Sequence, residues 1–252
     1  MILQAEHISK AYGEKKVLQD ISVVLEKGEL VSLLGVSGVG KTTLFNILSG
    51  LIMPDSGQVL LENEDITGKS GNLSYMLQKD LLLPHKTVLD NVALPLILSG
   101  MKKGDAREKA EIYFSQFGLE GTQKKYPVQL SGGMRQRAAL LRTYMCGGRV
   151  ALLDEPFSAL DTLTRAAVQE WYLSVMEEIK LSTLFITHDI DEAILLSDRI
   201  YIMSGNPAEI SAELVVDAPK PRRGEFLLSD TFIEYKRRIR KLLSDTAALS
   251  GI

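Results

Sequence analysis

The chain has 252 residues, 45% of them hydrophobic and 24% charged, the make-up of a folded protein with a sizeable core. Its 29 lysines and arginines against 32 acids leave a net charge of -3, which argues against a nucleic-acid binder, since such proteins carry a basic surplus to displace counterions from phosphates. One cysteine, Cys146, excludes an internal disulfide, and no run approaches the roughly 20 apolar residues of a membrane-crossing helix, so contact with a membrane is expected only through a partner.

The first ten residues include Glu6 and His7 and lack an uninterrupted apolar stretch, so they are not expected to be a signal peptide. Residues 3–12, 17–25 and 30–34 read as strands. The first two form an antiparallel start. The third, Leu30-Val31-Ser32-Leu33-Leu34, follows a tight Glu26-Lys27-Gly28-Glu29 turn and is expected to be buried. A glycine-rich loop and a helix come at once, the opening of an α/β domain.

That loop, Gly35-Val36-Ser37-Gly38-Val39-Gly40-Lys41-Thr42, fits G-x-x-x-x-G-K-[ST] at every fixed position. The glycines let the backbone curl so that successive N–H groups point at phosphate oxygens. The helix that follows adds its positive dipole end. Lys41 can reach the β- and γ-phosphates, and the Thr42 hydroxyl can bind Mg²⁺. The phosphate-binding candidates are Gly35, Ser37, Gly38, Val39, Gly40, Lys41, Thr42 and Thr43. By itself the loop leaves kinases, GTPases and many ATPases open.

Residues 84–148 change to a helical character. Asp105 can cap a helix whose apolar side holds Ala110, Tyr113, Phe114 and Phe117, and Gly118 ends it. Strand-like runs return at 150–153 and 184–187, with an amphipathic helix through 164–180 between them. Two short strands, 198–203 and 210–216, join through Gly205-Asn206-Pro207. The expected organisation is a single α/β domain over 1–252 with a helical block inserted at about 84–148. Near the end, Phe232, Tyr235, Ile239 and Leu242 form an apolar stripe at helical spacing, so Lys236, Arg237, Arg238, Arg240 and Lys241 are expected on a solvated face. Cys146, without a neighbouring His or second Cys, is expected to be an inert buried thiol. His7 and His85 lack metal-ligand spacing.

Leu130-Ser131-Gly132-Gly133-Met134-Arg135-Gln136 opens an Ala- and Leu-rich helical stretch. Small residues at a helix start make a second phosphate-facing cradle. Beside the phosphate loop, this segment resembles the signature sequence of the ABC ATPases, and further motifs follow in that family's order. Ala151-Leu152-Leu153-Asp154-Glu155 looks like the Walker B strand, and Ser158-Ala159-Leu160-Asp161 like the D-loop. His188, in Phe185-Ile186-Thr187-His188-Asp189, matches the switch histidine, Gln78 the Q-loop glutamine, and Tyr12 the aromatic that stacks on adenine.

The resemblance covers essentially the whole chain. It implies a P-loop NTPase fold, with a RecA-like core, an antiparallel β subdomain and an inserted α-helical subdomain. It implies ATP and Mg²⁺ as ligands. Glu155, His188, Lys41 and Gln78 would be catalytic, and Thr42, Gln78 and Asp154 would face the metal. Tyr12, the phosphate loop, residues 131–133 and Asp161 would bind nucleotide, with Ser131, Gly132 and Gly133 acting on ATP held by a second subunit in a head-to-tail dimer. The finer resemblance is to the nitrate, sulfonate and taurine importers, carried by the signature, by Asp154-Glu155-Pro156-Phe157-Ser158-Ala159-Leu160-Asp161, by Val88-Leu89-Asp90-Asn91-Val92 and by Pro219-Lys220-Pro221-Arg222. Departures stand at His85, where many relatives have Trp, and at Arg142-Thr143, where they have Arg-Ala.

The implied partners are a like ATPase subunit, a transmembrane permease at the cytoplasmic side of the membrane and, indirectly, an extracytoplasmic solute-binding protein. Residues 78–95, including Lys86 and Asp90, are the segment expected to meet the permease. Export and non-transport ABC activity on DNA or ribosomes are the alternatives. A phosphate-loop kinase leaves residues 130–136 and 158–161 unexplained.

Overall fold

A computed structural model describes residues 1–158, 160–220, 222 and 224–249. Ala159 of the segment at 158–161 and Pro221 of the segment at 219–222 lie outside the described residues.

The chain begins with β1 (Leu3–Tyr12) and β2 (Lys15–Leu25), which pair antiparallel with Leu3 opposite Leu25. β3 (Leu30–Leu34) is buried at all five positions, Ser32 among them, and α1 (Lys41–Leu48) follows the glycine-rich loop. β4 (Ser56–Leu61) and β5 (Glu64–Asp65) extend the antiparallel part, and β6 (Ser74–Met76) joins the far edge of the sheet. Between β6 and the next strand lie α2 (Val88–Val92), α3 (Leu94–Leu98), α4 (Lys103–Glu111), a 3-10 turn at Pro127–Gln129 and α5 (Gly132–Met145). The remainder runs β7 (Val150–Asp154), α6 (Thr162–Ile179), β8 (Ser182–Thr187), α7 (Ile190–Leu196), β9 (Arg199–Gly205), β10 (Ala208–Val215) and α8 (Asp230–Leu249).

The described strands form one sheet in the order β5-β4-β1-β2-β10-β9-β3-β8-β7-β6. The run β9-β3-β8-β7-β6 is parallel throughout. Its carboxyl ends therefore share one edge, where an open α/β sheet presents the loops that hold ligands. Side-chain alternation sorts the parallel strands between two cores. Val31, Leu33, Leu152, Leu184 and Ile186 pack with Leu44, Phe45, Ile47 and Leu48 of α1. Leu30, Ala151, Leu153 and Phe185 instead join Val88, Val92, Phe114, Phe117 and Leu141 of the helical segment. Each large apolar side chain buried this way contributes about 1.5–3 kcal/mol.

Several details differ from the sequence reading. Asp105 is not a helix cap: α4 starts earlier, after Lys102, and Asp105 stands in its first turn, where a carboxylate still meets the positive dipole end. Gly118 (φ 62) does not end that helix either, because α4 stops at Glu111. The chain then tightens into turns that carry Phe114 and Phe117 inward. Cys146 is exposed rather than buried. It follows the buried Ala138, Leu141 and Met145 of α5, and one further residue of helix turns the side chain about 100° off that face. Asp90 is no free surface charge, since Arg107 Nε and Nη2 donate to its Oδ1 and Oδ2 at 2.9 and 2.8 Å, tying α2 to α4. The stripe on α8 docks as its spacing requires, with Phe232 and Ile239 buried against Ile194, Ile200, Ile202 and Leu214. Arg237, Arg238, Arg240 and Lys241 are exposed. Among the described residues, no helix is long and apolar enough to cross a membrane.

Candidate nucleotide-binding site

The loop after β3 is shaped by two glycines. A Cβ on Gly35 would stand 2.5 Å from the Met203 carbonyl oxygen, so only a residue without one lets the end of β9 come so near. Gly40 (φ 118) caps α1 from a backbone region that disfavours side chains, and a Cβ there would meet Leu18 Cδ2 at 2.9 Å. No acidic side chain stands in the first turn of α1 and no side chain caps it. Its leading N–H groups are thus available to an anion. Lys41 is 5% exposed and lies back along the loop, donating from Nζ to the carbonyls of Gly35 at 2.7 Å and Val36 at 2.9 Å. Burial pushes its pKa down, while the nearby Glu155 and Asp154 carboxylates draw it up.

Opposite Lys41, β7 ends in two acids with different surroundings. Asp154 is buried and accepts from the Thr42 hydroxyl at 3.1 Å. Burial raises its pKa, the Thr42 hydrogen bond opposes this, and Glu155 adds to the rise. Glu155 leaves the strand with φ 46 while its N–H donates to Ile186 O at 3.1 Å. That bend presents its carboxylate to two neighbouring loops. Gln78 Nε2 donates to Oε2 at 3.0 Å, and His188 Nδ1 stands 3.1 Å from Oε1. A cleft of about 380 Å³ is lined by Ser37, Gly38, Gly40, Lys41, Thr42, Thr43, Gln78, Glu155 and Ile186. A second, of about 720 Å³, adjoins it at Gln78 and Glu155 and reaches Gly132, Gln136, Ser158 and His188. Among the described residues no cluster of three or more His, Cys, Asp or Glu could hold a metal ion. The Thr42 hydroxyl and the Asp154 carboxylate, 3.1 Å apart, form a small oxygen set of the chemistry that suits a hard divalent cation.

Sequence comparison matches the ABC transporter family to residues 18–158, more than half of the chain. The chain belongs to the ABC transporter family. It is an ATP-binding cassette, and such cassettes hydrolyse ATP. The cassette is 41% identical to the formylaminopyrimidine import ATP-binding protein ThiZ of Halalkalibacterium halodurans, over 89% of this chain and 88% of that one. It is 39% identical to the aliphatic sulfonates import ATP-binding protein SsuB of Bacillus cereus, over 93% and 91%. Its fold is similar to that of a dimeric ATP-binding cassette solved in a post-hydrolysis state with ADP and Pi. That match has a TM-score of 0.74 and 28% identity, and it covers 86% of this chain and 100% of the other.

The cassette does not bring all its candidate residues together. Ser131, Gly133, Asp161 and Tyr12 line neither cleft. Ser131 caps α5, accepting from Met134 N–H at 3.3 Å. Gly133 has a packing reason for its size: a Cβ would stand 3.0 Å from Thr164 Cγ2 and 3.2 Å from Val168 Cγ2, so α5 lies close on α6. Asp161 caps α6 through Thr164 N–H at 3.1 Å, and hydrogen bonds from Thr164 hold its carboxyl below the usual range. Tyr12, half exposed at the end of β1, has Lys10 Nζ 5.8 Å from its ring centroid, and that lysine pairs with Asp55 at 2.7 Å.

Three polar side chains on α5 link neighbouring segments, contacts that their place in the sequence does not reveal. Gln136 Nε2 donates to Pro156 O, joining the signature helix to the turn after Glu155. Arg142 donates to the carbonyls of Asp80 at 2.5 Å and Leu81 at 2.8 Å, and Arg135 Nε lies 3.4 Å from Asp80 Oδ2. Both arginines thereby hold the loop after Gln78 against α5.

Proposed function

We propose that this cassette works as one half of a head-to-tail dimer, coupling ATP hydrolysis to import of a solute through a membrane permease. The observation that carries the dimer is the separation within one chain: the phosphate loop lines one cleft, while Gly132 reaches only the adjoining one and Ser131, Gly133 and Asp161 line neither. In the dimer each chain's residues 131–133 close on ATP held by the other's loop, with Asp161 beside them. Tyr12 stacks on the adenine. The N–H groups of residues 35–43 cradle the phosphates. Lys41 leaves the Gly35 and Val36 carbonyls for the β- and γ-phosphates.

The Thr42 hydroxyl, the Asp154 carboxylate and the Gln78 side-chain oxygen would hold Mg²⁺, an all-oxygen set of the kind that ion takes. An ion held there would supply neutralisation of phosphate charge. Glu155 accepts a hydrogen bond from the attacking water and aligns it with the γ-phosphorus, and His188 steadies a γ-phosphate oxygen. Import is supported by two relatives named as import ATP-binding proteins, and the sulfonate one favours the nitrate, sulfonate and taurine type. The helical segment at 84–148 forms a subdomain that carries the signature. With residues 78–95 it meets the permease at the cytoplasmic face of the membrane, while an extracytoplasmic binding protein delivers the solute.

The test is Glu155→Gln in the full chain, followed by size-exclusion chromatography with and without ATP. An ATP-dependent shift from monomer to dimer is expected, lost when Ser131→Arg is added. A chain that stays monomeric at millimolar ATP removes the shared-site reading. Co-purification with a membrane permease tests the transport role.

A further inference from the structure

Behind His188 lies a buried carboxyl that none of the steps above uses. Glu192, in the first turn of α7, is 6% exposed and accepts hydrogen bonds on both oxygens. Gln169 Nε2 of α6 donates to Oε1 at 2.9 Å, and Thr187 Oγ1 donates to Oε2 at 2.7 Å. The same Thr187 hydroxyl accepts from Asp189 N–H at 3.0 Å. An amide N–H can only donate, so the hydroxyl proton is directed at Glu192. Residues 187 and 189 are thus both tied to this carboxylate, one directly and the other through a single hydroxyl. His188 is the residue between them.

A second tie reaches the same loop from α6. Arg165 Nη1 stands 3.7 Å from Asp189 Oδ2, and Arg165 Nη2 donates to Leu160 O at 3.0 Å. Arg165 and Gln169 are four residues apart, hence on one face of α6. Burial pushes the Glu192 carboxyl pKa up, with the Thr187 bond opposing.

We propose that Glu192 is a positioning residue for hydrolysis: with Gln169 and Thr187 it fixes the backbone on either side of His188, holding the imidazole against Glu155. This rests on the reading of Glu155 and His188 as the hydrolytic pair, and the controls below separate the two.

In the full chain, Glu192→Ala is expected to lower kcat by about 10- to 100-fold, the order seen when a reacting group is misplaced by about an ångström. ATP affinity should stay at the wild-type value, because the loop around Lys41 is untouched. Glu192→Gln is expected to recover most of the rate, since its amide can accept from Thr187 and donate to a turned Gln169. The chain has 3 histidines, so the His188 imidazole resonance can be followed by NMR. It should move in Glu192→Ala, return in Glu192→Gln, and leave the His7 and His85 signals in place.

The double variant His188→Ala/Glu192→Ala should be no slower than His188→Ala alone, as for residues that act as a unit. Wild-type kcat in Glu192→Ala, or losses that add in full in the double variant, overturn this inference alone. Wild-type turnover in His188→Ala overturns the reading of the site and this inference with it. Should Glu192→Ala not fold, Gln169→Leu decides. Reduced kcat with a shifted His188 resonance supports the clamp, and wild-type kcat overturns it.

Discussion

His188 Nδ1 lies 3.1 Å from Glu155 Oε1, and the two residues follow neighbouring parallel strands in which Asp154 pairs with Ile186. The contact depends on Glu155 adopting φ 46, a conformation that costs of order 1–3 kcal/mol for a residue with a side chain. Glu155→Gln keeps the reach of the side chain and removes the basic carboxylate. We expect kcat to fall by about 10²–10⁴-fold, the range for loss of a positioned base. ATP affinity should be kept or raised, because one negative charge near the triphosphate is gone. Single-turnover hydrolysis beside equilibrium binding checks this, and wild-type kcat would remove Glu155 from the reaction.

Lys41 is bound to its own loop through Gly35 and Val36. Lys41→Ala should therefore leave the fold in place, since the lost contacts are two hydrogen bonds to one short loop. ATP binding should weaken by on the order of 1.5–3 kcal/mol, the scale of a hydrogen bond to a charged group. Nucleotide titration of the folded variant measures it, and unchanged affinity would sink the phosphate-loop assignment.

Asp154 carries a stability cost in the nucleotide-free chain. Burial raises its folded pKa above the unfolded value. Stability is therefore lost as pH rises through these values, and the loss is present at neutral pH. Asp154→Asn keeps an acceptor for the Thr42 hydroxyl and removes the buried charge. It should stabilise the nucleotide-free chain by about 0.5–2 kcal/mol, a rise in Tm of roughly 2–4 °C per kcal/mol, while turnover is lost. Thermal unfolding without nucleotide is the measurement, and a lowered Tm would contradict it.

The Asp90–Arg107 pair gives a pH dependence of the opposite sign. Hydrogen bonds from Arg107 hold the Asp90 carboxyl below its usual range. Its contribution is thus present above the unfolded pKa of about 3.9 and disappears as pH falls through the folded value. Arg107→Met should lower Tm by a few degrees at neutral pH and converge with wild type in acid. A Tm difference independent of pH would show that the loss is one of packing. Because Asp90 is engaged here, Lys86 is the better charge to reverse when permease docking is tested.

Much of this protein was legible before any fold was known, and the reason is locality. A phosphate loop must bring Gly35, Gly40, Lys41 and Thr42 into one short bend, so the pattern is written in consecutive positions. Strand alternation and the stripe at Phe232, Tyr235, Ile239 and Leu242 repeat over a few residues for the same cause. The helix end at Glu111 and the exposure of Cys146 escaped, because they depend on where Phe114, Phe117 and Met145 find space in the core. The pairs Gln78–Glu155, Asp90–Arg107 and Gln169–Glu192 escaped for a stronger reason. Each joins two elements whose approach is set by the sheet order and the packing of helices on it, and no spacing along the chain encodes that distance. Residue types and their local order determined the chemistry available to this cassette. Only the tertiary structure decided which carboxylate meets the histidine, which is paired with an arginine, and which is buried behind the His188 loop.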